Sequence, residues 1–389
     1  MSSNVKVLDR LRRAGAAPSP ALPHGRVAVA RDVQELRPYE AVSSLDQIQA
    51  KPWQTPLKLD WNESTIPPSP RVIERITAFL QNTHHLNWYP DLAARRLVEA
   101  LSRYTRRSAS QLLVTNGSDD ALDLICKTYL DHDERVLLPY PTYTHFLVYA
   151  GAQGARFDPV TYDDPFVPQL ERIINALTPW TKLVYLVNPN NPTGVLYSPD
   201  EVETLLRLAP HTLFVVDEAY FEFAGSTAAN LVDSYRNLIV TRTCSKSFGI
   251  SGLRVGYLMA NAEVVQELRR VHNPKSVNVL GQIAATAALG DSDYLQAYLA
   301  EVAAAKEILV RALLERGIEA RNTSANWILA RVQEPERFCA ALAEEGVYIR
   351  NRSSFPQLNG YVRISLGTRA QLPEILTRLD QARARLRDR

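Results

Sequence analysis

From about Gln111 onward, short apolar runs alternate with amphipathic stretches, and this alternation is the strongest pattern in the chain. The runs Leu112–Thr115, Arg135–Leu138, Lys182–Val187, Thr212–Val216, Leu238–Thr241 and Tyr257–Ala260 have the length and apolar continuity of buried strands. Between them, Asp119–Tyr129 carries Ala121, Leu122, Leu124, Ile125 and Tyr129 at helical spacing. Pro168–Leu177 and Pro199–Leu208 predict further helices. Apolar strands alternating with helices predict an α/β architecture with a mostly parallel sheet covered on both faces. Ligands of such sheets sit outside the carboxyl ends of the strands.

After about Gly290 the texture changes. A long helix is expected over Ser292–Arg316 and another near Pro335–Glu345, with strands near Trp327–Val332 and Tyr361–Ser365. These elements predict a smaller α+β domain, and the stretch before Trp61 is expected to join it. The expected division is an N-terminal arm over 1–35, a large domain over 66–285, and a discontinuous small domain over 36–65 plus 286–389. Residues 1–35 are rich in Arg, Ala and Pro, with a short helix expected over Val5–Ala14. There is no internal repeat and no low-complexity tract.

A chain of 389 residues that is 46% hydrophobic can bury a large core. Its net charge of +2 carries no strongly basic footprint, which argues against nucleic acid as a partner. No apolar run is long enough for a membrane span, and the polar start lacks a signal-peptide core. Cys126, Cys244 and Cys339 are widely spaced and predict reduced thiols of a cytoplasmic protein. Only eight lysines are present, so each one in an apolar or hydroxyl-rich setting merits inspection.

One lysine stands out. Lys246 follows the expected strand at Leu238 and is flanked by Thr243, Ser245 and Ser247. A lysine there can lose solvation and lower its pKa, as Schiff-base chemistry requires. Thr243, Ser245 and Arg254 supply hydroxyl and guanidinium donors suited to a phosphate dianion. Asp217 ends another buried run, and a buried carboxylate needs a cationic partner. A protonated pyridine nitrogen is one such partner, with Tyr220 three residues on to bond an oxygen of the same ring; a core Asp that caps the next segment is the plainer alternative.

Three further motifs stand out, two at expected strand ends and one within an expected strand. Asn188-Pro-Asn-Asn-Pro-Thr-Gly194 is a proline-punctuated turn that would aim the amide of Asn191 at a ligand. Thr115-Asn-Gly-Ser-Asp119 opens a helix, and Gly117, Ser118 and Asp119 would present main-chain N–H groups as an anion site. Arg363 interrupts the apolar run Gly360–Gly367 and suits bidentate carboxylate binding, or a structural ion pair. No GxGxxG, no GxxxxGK[ST] and no GxSxG occurs, and the adjacent His84 and His85 have no spacing of carboxylate or Cys that completes a zinc site, so no metal is expected.

The five motifs, in this order, resemble the fold-type-I pyridoxal 5′-phosphate (PLP) enzymes and, within them, the histidinol-phosphate aminotransferase family. Leu36-Arg-Pro-Tyr39, Leu59-Asp-Trp-Asn-Glu63 and Trp88-Tyr-Pro-Asp91 match further family segments, so the likeness spans about 33–385. It implies the PLP-dependent transferase fold, with a mostly parallel seven-stranded sheet in the large domain. It implies Lys246 as the Schiff-base lysine and proton shuttle, with Asp217 on the pyridine nitrogen. It implies Asn191 and Tyr220 on the phenolic oxygen, Tyr143 stacked on the ring, and Gly117, Ser118, Asp119, Thr243, Ser245 and Arg254 around the phosphate. Arg363 would take the substrate's carboxylate or phosphate, with Tyr39, Trp61 and Asn62 beside the substrate. Tyr89 would reach the neighbouring subunit's cofactor, which implies a homodimer acting on a small-molecule substrate.

The chain departs from the family pattern near the expected substrate pocket. Ser64-Thr-Ile-Pro-Pro68 replaces a Pro-aromatic-Gly step, Trp61 replaces a smaller residue, and His145 stands where Gly-Met or similar is common. The implied reaction is amino transfer between an L-amino acid or amino alcohol phosphate and a 2-oxo acid. The alternative with the same cofactor is elimination and ring closure on a hydroxylated, arginine-like amino acid. A catalytically silent binding module is the third reading, and the joint retention of Lys246, Asp217, Asn191, Tyr220 and Arg254 argues against it.

Overall fold

The computed structural model describes residues 56–387 except His84, together with 28–34, Leu36, Ser43 and Ile48. The expected helix at Val5–Ala14 and the expected substrate residue Tyr39 lie outside the described residues.

Strand β1 is Leu57–Lys58. A seven-stranded sheet follows from β2 (Leu112–Thr115), β3 (Arg135–Tyr140), β4 (Arg156–Thr161), β5 (Thr181–Val187), β6 (Leu213–Asp217), β7 (Leu238–Thr243) and β8 (Gly256–Ala260). Their spatial order is β2-β8-β7-β6-β5-β3-β4, and only β8 runs against the rest. The expected strands are all present, most of them extended by a residue or two. The edge strand β4 was not foreseen, because Asp158 and Pro159 interrupt its apolar pattern and an edge position tolerates both.

Side chains alternate across a strand, so each central strand feeds two cores. Val184, Leu186, Phe214, Val216 and Val240 pack on one face. Leu183, Tyr185, Val187, Val215 and Ile239 pack on the other. Both faces are buried, which is why these strands read as continuous apolar runs rather than as alternation. The helix Ser118–Tyr129 contributes Ala121, Leu122, Leu124 and Ile125 to the second core, while Val202, Leu205 and Leu206 of the helix Pro199–Leu208 serve the first. That second helix begins with a Ser198–Glu201 capping box and Pro at its first turn.

A third core gathers the carboxyl-terminal elements. Strands β9 (Glu319–Arg321), β10 (Trp327–Arg331), β12 (Arg350–Asn351) and β13 (Tyr361–Ser365) form an antiparallel sheet in the order β12-β13-β10-β9. Strand β11 (Val347–Tyr348) pairs parallel with β1, and Leu57 and Leu59 pack among the carboxyl-terminal apolar side chains. The segment just before Trp61 is therefore tied by hydrogen bonds to residues almost 300 positions later, and it enters the site from that side. Near the amino terminus, a short turn over Arg31–Val33 lies against the large sheet's periphery, with Asp32 facing His132 Nδ1 at 3.2 Å.

Candidate active site

The parallel strands β2, β3, β5, β6 and β7 all end at the same edge of the large sheet, and β8 starts there because it runs the other way. Over that edge lies a cavity of about 560 Å³. Four of the five motifs singled out above sit at strand termini of this sheet, so the topology brings them together, and Arg363 reaches the cavity from the middle of β13.

Lys246 follows β7 and points its amine into the cavity. Its Nζ donates to the main-chain carbonyl of Trp61 at 2.8 Å and stands 6.0 Å from the centroid of the Tyr220 ring. Burial is the chief reason its pKa falls to about 8; Glu63 opposes the fall and Arg363 adds to it.

Asp217 ends β6 and is buried. It accepts from the hydroxyl of Tyr185 at 3.0 Å, that of Thr241 at 3.1 Å and the N–H of Ala219 at 3.2 Å. Burial raises its pKa to about 6 against those three donors. None of them is a cation, and no salt bridge to Asp217 is formed among the described residues. A buried carboxylate in this position is completed by a positive group at the cavity wall, and a pyridinium nitrogen supplies one.

The loop after β5 is pinned on several sides. Asn188 Oδ1 accepts from the Tyr197 N–H at 2.8 Å, Asn190 Nδ2 donates to the Pro141 carbonyl at 2.8 Å, and Trp327 Nε1 donates to the Pro192 carbonyl at 2.9 Å. Asn191 is thereby presented to the cavity, where its Nδ2 donates to the Tyr220 hydroxyl at 3.2 Å and its Oδ1 accepts from Arg363 Nη1 at 2.6 Å. Burial raises the Tyr220 phenol, while Arg363 pulls it the other way. Asn62 supports the same hydroxyl at 3.1 Å but does not line the cavity; it works from behind Tyr220.

At the opposite end, Gly117 precedes the helix Ser118–Tyr129 with φ of +84°. The positive φ favours glycine, and a Cβ there would lie 2.6 Å from Arg254 Nη2, so any larger residue would have to push that guanidinium aside. Arg254 also faces Asp119 at 3.3 Å and Ser245 Oγ at 3.4 Å, while Thr243 Oγ1 donates to Ser245 Oγ at 2.9 Å. Main-chain N–H groups at the helix start, two hydroxyls and a guanidinium form a cradle for a phosphate. Tyr143 also lines the cavity, its hydroxyl donating to Asp119 at 2.9 Å.

A donor set with a buried lysine, a buried carboxylate awaiting a cation, a phenol–amide pair and a phosphate cradle fits PLP. The description "Aminotransferase class I and II" matches residues 54–379. The chain belongs to the class I and II aminotransferases. Its cofactor is pyridoxal 5′-phosphate, and its architecture is the fold-type-I arrangement. Among its relatives, this aminotransferase is 37% identical over 359 residues to the dihydroxyacetone phosphate transaminase of Campylobacter jejuni, covering 90% of this chain and 96% of that one. It is 34% identical over 313 residues to the histidinol-phosphate aminotransferase of Caldanaerobacter subterraneus, covering 80% and 88%. The structure of histidinol-phosphate aminotransferase from Sinorhizobium meliloti in complex with pyridoxal-5′-phosphate superposes with a TM-score of 0.83 at 24% identity, over 93% and 99% of the two chains.

Sequence reasoning missed part of the aminotransferase's cavity wall. Arg350, Arg352, Asp60, Glu63 and Phe355 line the cavity with the expected Trp61 and Arg363. Arg350 and Arg352 were legible only as a period-two pair in a stretch too short to read as a strand. Tyr89 stands 77% exposed, away from this chain's cavity. Among the described residues, no cluster of His, Cys, Asp or Glu could hold a metal ion, and no helix is long and apolar enough to cross a membrane.

Proposed function

We propose that this aminotransferase moves an amino group between an L-amino acid and a phosphorylated carbonyl compound, of the kind that dihydroxyacetone phosphate represents. The observation that carries the reading is the pairing of a buried, depressed-pKa lysine with a wall of three arginines in one cavity. The matched family and both sequence relatives are aminotransferases, which favours amino transfer over elimination and ring closure.

The geometry supports the following roles. Asp217 would hold the pyridine nitrogen, Asn191 and Tyr220 the ring oxygen, and Tyr143 the ring face. Gly117, Ser118, Asp119, Thr243, Ser245 and Arg254 would surround the phosphate. When bound, PLP withdraws electrons from the carbon that carries the substrate's amino group. Lys246 Nζ, neutral above pH about 8, serves as the base that takes the proton from that carbon. Arg363, anchored by Asn191 Oδ1, orients the substrate through its carboxylate. Trp61 contributes both the carbonyl that positions Lys246 and a cavity-lining ring held against Lys58, whose Nζ lies 4.2 Å from its centroid. We place Tyr39 beside the substrate by family likeness alone.

A homodimer belongs to the same proposal. Leu86, Trp88, Tyr89 and Leu92 form an exposed apolar stretch that a second copy would cover, bringing Tyr89 towards its neighbour's phosphate cradle. Sedimentation of the wild type and of Trp88→Asp tests it: a wild-type monomer is the adverse result. The cytoplasm fits the free cysteines.

The decisive assay incubates purified protein with PLP, L-glutamate and dihydroxyacetone phosphate, and follows 2-oxoglutarate. A parallel assay uses histidinol phosphate with 2-oxoglutarate. Lys246→Ala should abolish turnover. Release of ammonia or a cyclised product, with no amino group passed to any acceptor, would overturn the reading.

A further inference from the structure

Three consecutive main-chain carbonyls of one short segment accept from three different parts of the site. The Asp60 carbonyl accepts from Arg363 Nη2, that of Trp61 from Lys246 Nζ at 2.8 Å, and that of Asn62 from Asn326 Nδ2 at 3.0 Å. The main chain of the segment is anchored along its length. The Leu57 and Leu59 N–H groups donate to the Gly346 and Tyr348 carbonyls at 2.9 and 2.8 Å, and the Ser365 N–H donates to the Leu59 carbonyl at 2.9 Å. The Asn62 N–H donates to Ser365 Oγ at 3.0 Å, and Asn62 itself turns the chain with a φ of +57°, which Asn tolerates better than most residues.

Asp60 and Glu63 both line the cavity, so two carboxylates flank the carbonyl that holds Lys246. Lys58 lies outside that lining and touches three of the four residues 60–63. Its Nζ pairs with Asp60 Oδ1 at 3.0 Å and with Glu63 Oε2, and lies 4.2 Å from the centroid of the Trp61 ring. The backbone bonds hold the segment in place without this amine, but they do nothing to neutralise its two carboxylates. After burial, the largest influence on Lys246 is Glu63, which favours the protonated amine. Asp119 acts in the same sense, and Arg363 and Arg254 oppose it. Asp119 is matched by Arg254 at 3.3 Å, as Glu63 is by Lys58.

We propose that Lys58 is a positioning residue for Lys246: it clamps Asp60 and Glu63 so that the amine faces a neutral carbonyl and not an unmatched carboxylate. The inference rests on Lys246 as the working amine of this aminotransferase and names what keeps that amine ready to lose its proton. With the clamp removed, Glu63 loses its cation and acts undiminished on Lys246.

Competitive labelling of the full-length, cofactor-free protein with acetic anhydride, read at Lys246 by mass spectrometry, gives the pH at which that amine sheds its proton. The wild-type midpoint is expected at about 8. In Lys58→Met it should rise by about one pH unit, so that labelling at pH ~7 slows about tenfold. Lys58→Gln should shift it alike. Lys58→Arg, which keeps the charge and can span both carboxylates, should stay close to wild type. Adding Glu63→Gln to Lys58→Met should return the midpoint to the wild-type value or below. Thermal melting verifies that the variants are folded; a merely structural role would lower melting or slow labelling at every pH without moving the midpoint. An unmoved midpoint in both charge-removing variants, or a rise that persists in full after Glu63→Gln, would overturn the assignment. Failure of the underlying reading looks different: Lys246→Ala would then still transfer amino groups, whatever the midpoints.

Discussion

Lys246 Nζ donates its 2.8 Å hydrogen bond to the carbonyl of Trp61, a residue 185 positions earlier in the chain. A carbonyl orients an amine without neutralising it, so burial is left to bring the pKa down to about 8. The amine is therefore neutral above pH about 8, where an ordinary lysine is still protonated. Cofactor-free protein should capture PLP at a rate that rises with pH and levels off near that value, read as growth of an absorbance band near ~420 nm. Glu63→Gln should move the midpoint down, because Glu63 favours the charged amine; Arg363→Met should move it up. A midpoint close to 10 in the wild type would contradict the burial argument.

Asp217 links cofactor occupancy to stability. Its pKa is raised by burial to about 6 without a cation, above its unfolded value. A raised folded pKa gives stability that is fully present below the unfolded pKa and lost as pH climbs through the folded one. In cofactor-free protein this contribution, about 3 kcal/mol, should fade as pH rises from ~4 through ~6. Asp217→Asn should flatten that part of the profile in denaturant titrations. The same variant should lower turnover by orders of magnitude, because the pyridine nitrogen loses its counter-charge. An unchanged pH profile would show that the carboxylate is already paired.

Gly117→Ala tests the phosphate cradle. The added methyl would meet Arg254 at 2.6 Å on a backbone with φ of +84°. Strain of about 1–3 kcal/mol at the residue, plus a displaced guanidinium, should weaken PLP affinity by at least about tenfold. Equilibrium dialysis of the cofactor gives the answer, and wild-type affinity in the variant would mean that Arg254 swings aside at little cost.

Arg242 and Glu218 form a pair buried between β7 and the turn after β6, with side chains 4% and 0% exposed and 2.8 Å apart. Each is the sequence neighbour of a site residue: Thr243 in one case, Asp217 in the other. Removing one partner from a buried ion pair leaves an uncompensated charge, so Arg242→Met should cost about 3–5 kcal/mol. Urea denaturation should record that loss, and Glu218→Gln in the same background should recover part of it. Full stability of Arg242→Met would mean that Glu218 simply takes up a proton.

Much of the site was readable along the chain because buried parallel strands announce themselves as apolar runs, and polar residues that interrupt or end such runs need a reason to be there. Asp217, the Gly117 turn, Asn191 and Lys246 each follow an apolar run within five residues, and the parallel topology then obliges them to share an edge. The sequence alone thus determined where most strands of the large sheet lie, the turn at Gly117 and the family. It did not reveal the edge strand β4, whose Asp158 and Pro159 break the pattern, nor the two-residue strand that carries Arg350, too short to show a period. The parallel pairing of Leu57–Lys58 with Val347–Tyr348 delivers the Trp61 carbonyl to Lys246. The antiparallel register of Arg350 with Arg363 assembles the arginine wall. Both depend on hydrogen bonds between segments far apart in sequence, and local patterning carries no record of which distant strand a backbone will choose.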